Sequence, residues 1–384
     1  MTIAANWLLD PSVTYLNHGS FGACPSAVLE MQAALRLEME REPVDFLSGS
    51  IQRRLDDARE VLGAFVGADP LDLAFVPNAT AGVNAVLRSL EFERGDEILV
   101  TTHTYQACRR AVDYVADRSG ARVVSAALPF PCPGEESIVA AVLDAVSPRT
   151  RLALIDHVTS PTALILPVRR LVAELARRGI DSLVDGAHAP GMVPLELAGI
   201  GAAYYTGNAH KWLCAPKGAA FLHVRGDRQA PLHPNTISHG YQAGFHAEFD
   251  WTGTADPTAY LCVPGAIRFI GGLLPGGWPA VMEANHALAL EARGLVLAGL
   301  GQESPCPEIM IGSMASVPLP APLRGSPAER MDVHALHDWL RERGVEAWLH
   351  PQPLPLLRIS AQLYNTPDQY RQLLRLLKQA LHAP

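Results

Sequence analysis

The chain has 384 residues, 48% of them hydrophobic and only 18% charged, which supplies a sizeable core and argues against a disordered polymer. Its 31 basic and 39 acidic residues leave a net charge of −8, and with no long basic run, nucleic acid and anionic lipid are excluded as expected partners. No apolar stretch reaches the roughly 18 residues that span a membrane.

The first residues, MTIAANWLLDPS, lack the basic and then long apolar segments of a secretory signal. Six scattered cysteines (Cys24, Cys108, Cys132, Cys214, Cys262, Cys306) form no CxxC pair. Reduced thiols in a cytoplasmic enzyme are therefore expected rather than disulfides or zinc. The length suggests two or three domains.

In chain order, the turn-rich TYLNHGSFGACP precedes a helical pattern from Ser26 to about Glu42, with Ser26 as its expected cap. Pro43 stops that helix, and IQRRLDDAREVLGAFVGA is a second amphipathic run. Strands and helices then alternate. FVPNATAGVNAVLRSL reads as a strand end, a turn and a helix; EILVT as a strand; ACRRAVDYVADRSG as a helix. RVVSAAL, RLALID and DSLVD are strands separated by the helices SIVAAVLDAV and VRRLVAELARRG, and AAYYTG and GAAFLHV follow. Short apolar runs alternating with helices of ten or more residues imply an α/β fold with a mainly parallel sheet covered on both faces. After WTGTADPTAYL the pattern becomes α+β, which puts a boundary near residues 256–285: a helix at 278–300, a strand-like EIMIGSMASVPL, a helix near 331–343, the strand LLRIS and a terminal helix.

The chemistry centres on residues 184–218. Asp185 ends an apolar strand, His188 follows three positions on, and Lys211 sits between His210 and Trp212. Singly, these are a turn former, a loop histidine and a surface lysine. Together they suit a pyridine ring held by its nitrogen while a lysine amine bonds its aldehyde, as in pyridoxal 5'-phosphate chemistry. NATAGVN starts a helix, where free N–H groups bind phosphate, although any small-residue helix start looks the same. His103 and Tyr105 of THTYQ are two flat side chains, either of which could stack on a cofactor. Arg358, inside the apolar LLRISAQLYN, is either salt-bridged or aimed at a carboxylate. His334 and His337 read as a solvated helix face with no metal site.

These motifs, with YLNHGSFG, HVTSPTALILPV, APKGAAFL and WTGTAD, make the chain resemble the class V aminotransferase group of fold-type I pyridoxal-phosphate enzymes, its isopenicillin N epimerase-like branch in particular. The resemblance covers nearly the whole chain. It implies a large cofactor domain over residues 15–270 with a mainly parallel seven-stranded sheet, and a small α+β domain from 1–14 and 271–384. It further implies Lys211 as the Schiff-base (aldimine) lysine and proton shuttle, Asp185 as the pyridinium partner, and His188 and Ser160 near the ring oxygen. His103 falls at the stacking position, with Tyr105 possible. Ala79, Thr80, Asn208 and His210 match the phosphate site, Asn208 departing from the serine of the desulfurase branch. Thr254 would reach the phosphate of a neighbouring subunit in a homodimer with shared sites. Arg358 would grip a substrate α-carboxylate, with Asn17 and His18 at the substrate mouth.

The implied substrate is an amino acid and the implied reaction an epimerisation at its α-carbon. C–S lyase and aminotransferase are the alternatives on the same scaffold. A cysteine desulfurase would carry a mobile cysteine before its arginine, and VEAWLHPQPLPLLR has none. A protein that binds the cofactor without catalysis is a further, less favoured reading, against which Lys211 and Arg358 together argue. An epimerase needs a second proton donor besides Lys211, and His103, Tyr105 and water all remain candidates in the sequence.

Overall fold

The computed structural model describes residues 2–320 and 332–382. Among them, twelve strands form three sheets. The largest contains β2 (Leu73–Val76), β3 (Glu97–Thr101), β4 (Arg122–Ala126), β5 (Thr150–Asp156), β6 (Asp181–Asp185), β7 (Tyr204–Asn208) and β8 (Ala220–Val224). Their order is β2-β8-β7-β6-β5-β3-β4. Strands β3 to β7 run parallel where they pair, whereas β8 is antiparallel to both of its neighbours. The reason is local: no crossover helix lies between β7 and β8, so the chain can only double back. The two faces of the sheet carry separate apolar cores, one containing Leu99, Ile155 and Val184, the other Val100, Leu154 and Leu183. Burial on both faces is why these strands are continuous apolar runs instead of alternating ones. The edge strand β4 is the most exposed of the seven, with one of its five residues buried.

The chain adds β4 outside β3 and then returns to place β5 on the other side. A crevice opens at the carboxyl ends of the strands where the direction of addition reverses, the usual ligand position in open α/β sheets. Asp156, Asp185 and Asn208 are the last residues of β5, β6 and β7.

The second unit is a three-stranded antiparallel sheet of β9 (Met314–Pro318), β11 (Trp348–His350) and β12 (Leu356–Ser360), in the order β11-β12-β9. Helices Gly277–Leu300 and Pro367–His382 pack together, and the former also lies on β9. Met314, Leu357 and Tyr370 of this unit belong to the same buried cluster as Leu99 and Val184 of the large sheet. β1 (Thr14–Tyr15) pairs in parallel with β10 (Val345–Glu346), sewing the amino-terminal segment to the carboxyl-terminal region.

One local expectation fails. Ser26 is not a cap: the helix Ser26–Arg41 includes it as the first helical residue, Pro25 occupies the cap position, and no side-chain cap bond forms. Ser26 is already one residue inside the helix, and the Pro25 carbonyl accepts from the Val28 and Leu29 N–H groups at 3.1 Å.

Candidate active site

A cavity of about 610 Å³ lies at the strand ends, bounded by the start of the helix Ala79–Ser89, Tyr105, Ser160, Asp185 and Lys211. Asn78 caps that helix by accepting from the Ala81 N–H at 2.8 Å, and Asn208 Oδ1 accepts from the Ala79 N–H at 2.8 Å. Two side chains thus take two of the otherwise unpaired amides of the first turn. Thr80 lines the cavity between them.

Lys211 lies in the helix-free connection between β7 and β8, and its Nζ is 3.3 Å from His188 Nε2. Desolvation, with repulsion from the Arg358 guanidinium, lowers the Lys211 pKa to about 7. Burial likewise holds His188 far below the usual imidazole range. Neutral His188 therefore accepts from Lys211 at Nε2 and carries its proton on Nδ1, a buried atom with no partner in the chain. His210 is pinned by its own loop, Nδ1 lying 2.9 Å from the Ala219 carbonyl.

The backbone beneath Lys211 is held by close approach. Gly22 has φ 71° and ψ 167°, a conformation open essentially to glycine alone. A Cβ there would collide with the His210 carbonyl oxygen and lie 2.9 Å from Lys211 Cα. Gly191, with φ 85°, abuts the Trp212 carbonyl, where a Cβ would come to 2.6 Å from its oxygen. His18 donates from Nε2 to the Lys211 carbonyl at 3.0 Å and accepts at Nδ1 from the Tyr364 hydroxyl at 2.8 Å.

Asp185 is buried and accepts from the Ala187 N–H at 3.0 Å and from the Cys108 thiol at 3.1 Å. Asp156, in register with it on the neighbouring strand, is also buried and lines the cavity. Its Oδ1 accepts from the Tyr105 N–H at 3.3 Å, and its Oδ2 has no partner. Desolvation raises the pKa of both carboxyls, and repulsion from Asp185 pushes Asp156 further.

Arg358, in the middle of β12, is buried with no carboxylate ion pair among the described residues. It donates to the Ser160 carbonyl at 2.7 Å, the Ser160 hydroxyl at 3.2 Å, Ser20 Oγ at 3.1 Å and Asn17 Oδ1 at 3.4 Å. The guanidinium stacks on Trp348, 4.3 Å from the ring centroid, and its Nε is unpartnered. Burial lowers its pKa to about 10, still cationic at neutrality. A buried cation without a counter-ion is costly, and an arriving anion would relieve it.

Of the residues singled out in the sequence, Ala79, Thr80, Tyr105, Ser160, Asp185, His188, Asn208, His210 and Lys211 all line this one cavity. Arg358 and Asn17 stand behind it, reaching the lining residues Ser160 and Ser20. Of the two stacking candidates, half-exposed Tyr105 lines the cavity, whereas His103 is buried outside its lining, bonded through Nδ1 to Thr162 Oγ1 at 3.0 Å with its Nε2 unpartnered. His18 is not at a mouth; it is buried under the Lys211 loop with both ring nitrogens engaged. Thr254 lies on an exposed loop outside this cavity. Asp156, Ser20 and Cys108 were not singled out. For Asp156 a signal existed, since RLALID ends in an acid just as DSLVD does.

These groups fit pyridoxal phosphate on their own chemistry. A buried amine near neutrality, a buried carboxylate at a strand end, a helix amino terminus and an orphaned imidazole N–H share one cavity of adequate volume.

Comparison with known proteins agrees. Residues 26–255 match the model of the family described as aminotransferase class-V. Isopenicillin N epimerase of Streptomyces clavuligerus is 36% identical over 94% of this chain and 93% of its own length. The probable chloroplastic L-cysteine desulfhydrase of Arabidopsis thaliana is 33% identical over 95% and 82% respectively. Among solved structures, the cystine C–S lyase C-DES with cysteine persulfide superposes with a TM-score of 0.80 over 96% of this chain and 98% of that one; at 22% identity it speaks to the fold alone. The chain belongs to the class V aminotransferase family, and is a pyridoxal-phosphate-dependent enzyme of that family.

Proposed function

We propose that this enzyme moves a proton at the α-carbon of an amino acid, with epimerisation as its leading reaction. The observation that carries the reading is Lys211: a cavity-facing amine with a pKa of about 7, bonded to a neutral histidine, is a base poised for neutral pH. Pyridoxal phosphate, when bound, supplies the electron sink that makes such a proton removable. Asp185, ionised and hydrogen-bonded on both oxygens, would hold a proton on the ring nitrogen. Thr80 and the helix start at Ala79 would take the phosphate. Arg358, braced by Ser160, Ser20 and Asn17, would orient the substrate carboxylate.

Tyr105 is the titratable group proposed for the second face. It lines the cavity with its ring half exposed, which favours it over His103 for both covering the cofactor and delivering a proton. A homodimer is proposed in addition, with exposed Thr254 available to a neighbouring subunit, and a cytoplasmic location.

Elimination of a sulfur leaving group is the second reading, favoured by the 33% identity to the Arabidopsis desulfhydrase over most of both chains. Persulfide chemistry of the desulfurase kind is disfavoured: all six cysteines are buried, and Cys306 has its thiol pushed up to about 11 by desolvation.

Incubating the enzyme in deuterium oxide with a panel of L- and D-amino acids tests the proposal. Deuterium entering the α-position in the parent, abolished in Lys211→Ala, is expected. Conversion of one enantiomer into the other, lost in Tyr105→Phe while exchange continues, is the expected mark of epimerisation. Pyruvate with sulfide and no enantiomer exchange selects elimination instead. Turnover undiminished in Lys211→Ala would overturn both.

A further inference from the structure

Asp156 has no part in the chemistry above, yet it is a nearly inaccessible carboxyl, 2% exposed, on the wall of the same cavity. Three geometric facts mark it out. It ends β5 as Asp185 ends β6, and the two are direct partners in the parallel ladder. One oxygen is fixed by the Tyr105 N–H, and the other, Oδ2, is buried without any partner. No cation pairs with it among the described residues, so two carboxyls share a pocket with at most one charge to spare.

We propose that Asp156 is a positioning residue that stays protonated beneath the cofactor cavity, so that Asp185 alone carries negative charge there and Asp156 offers an O–H donor from Oδ2. The proposal rests on reading the cavity as the pyridoxal-phosphate site.

The division of the proton follows from the neighbours. Asp185 receives the Ala187 N–H and the Cys108 S–H and feels the Lys211 ammonium, all of which favour its anion. Asp156 is desolvated and faces Asp185 across the ladder, and both oppose a second anion, while the neighbouring Cys108 thiol stays protonated and supplies no positive charge. Only the Tyr105 and Asp156 backbone N–H groups and the Thr104 side chain pull the other way. The next residue, His157, is neutral and engaged with the Tyr205 hydroxyl at 2.8 Å, so it supplies no compensating cation. One anion balances one protonated ring nitrogen; two would repel across the pair and weaken the ring as an electron acceptor. A carboxylic acid kept neutral by its site is also a strong hydrogen-bond donor.

Two substitutions separate this from a merely structural role. Asp156→Asn keeps the shape, the neutrality and a donor; Asp156→Ala keeps none but the neutrality. Infrared difference spectra of the apoprotein, parent minus Asp156→Asn at neutral pH, are expected to show the C=O stretch of a buried carboxylic acid. In the holoenzymes, Asp156→Asn is expected to leave the pH midpoint of the cofactor's visible band within about 0.3 unit of the parent. Its cofactor affinity should stay within about threefold, whereas Asp156→Ala should lose about tenfold or more. Absence of the acid band, or a midpoint displaced by about one unit or more in Asp156→Asn, overturns the proposal. If the parent takes up no pyridoxal phosphate, the reading of the cavity fails, and the infrared result still decides the protonation of Asp156. If Asp156→Ala does not fold, the Asp156→Asn comparisons stand without it.

Discussion

A lysine amine attacks a carbonyl only after it has shed its proton, so the useful property of Lys211 is how easily it does so. Desolvation is the largest influence, and the Arg358 guanidinium adds repulsion while Asp185 opposes both. The rate at which the apoprotein captures an added aldehyde is therefore expected to climb with pH through about 7 and level off above it. Stopped-flow absorbance after mixing with pyridoxal phosphate measures that profile. Arg358→Gln removes a like charge, so its midpoint should move to higher pH; an unmoved or lowered midpoint would show that the two cations do not communicate. The same substitution should raise KM for an amino acid more than it lowers the deuterium-exchange rate at saturation, because the arginine's proposed task is to hold a carboxylate.

At the scale of elements, the site is a meeting of strand ends, one helix start and two glycine-clamped loops. Gly22 terminates the short helix His18–Phe21 and presses on the backbone of His210 and Lys211. Gly22→Ala combines a forbidden backbone conformation with a steric collision, costing at least about 2 kcal/mol. Thermal melts should show the lowered stability, and activity per folded molecule should also fall, because relief of the clash moves Lys211. Wild-type activity at wild-type stability would mean that the loop yields freely. Much of this arrangement could be read in the sequence wherever the information was local. Asp185, Lys211 and the NATAGVN helix start each announced themselves within a few residues, and uninterrupted apolar runs indicated strands buried on both faces. What escaped depended on contacts between distant segments. The partnership of Asp156 with Asp185 needs the ladder register of β5 and β6. Ser20 joins the site because the fold brings it to the cavity wall, where Arg358, 338 residues away, reaches its hydroxyl. His18 looked like a substrate-facing residue until the fold placed it beneath the lysine loop, and of His103 and Tyr105, two positions apart, Tyr105 lines the cavity while His103 is buried against Thr162.

Across the whole molecule the histidines set the response to acid. Burial lowers the pKa of His103, His157, His210 and His223 to about 4 and of His18 to about 3, and holds His188 well below the ordinary imidazole value as well. In the unfolded chain each returns to an ordinary value near 6.5. Between those limits the unfolded state binds more protons than the folded one, so stability is greatest above about pH 6.5 and falls as the pH drops towards 4. Asp156 and Asp185 act in the opposite sense, because their raised pKa values let the folded state hold protons that the unfolded state has released. Two such groups against six histidines leave the histidines dominant, and the melting temperature should decline from pH 7.5 to pH 5. His223 provides a local check, since it lies in β8, outside the cavity lining, and its Nδ1 has no partner. His223→Gln removes one titrating group, so stability should depend less steeply on pH between 6.5 and 4, by up to about 1.36 kcal/mol per pH unit. Urea titrations of the parent and variant at a series of pH values give that slope directly. Parallel curves would mean that His223 titrates alike in the folded and unfolded states, and that acid acts on this fold through other groups.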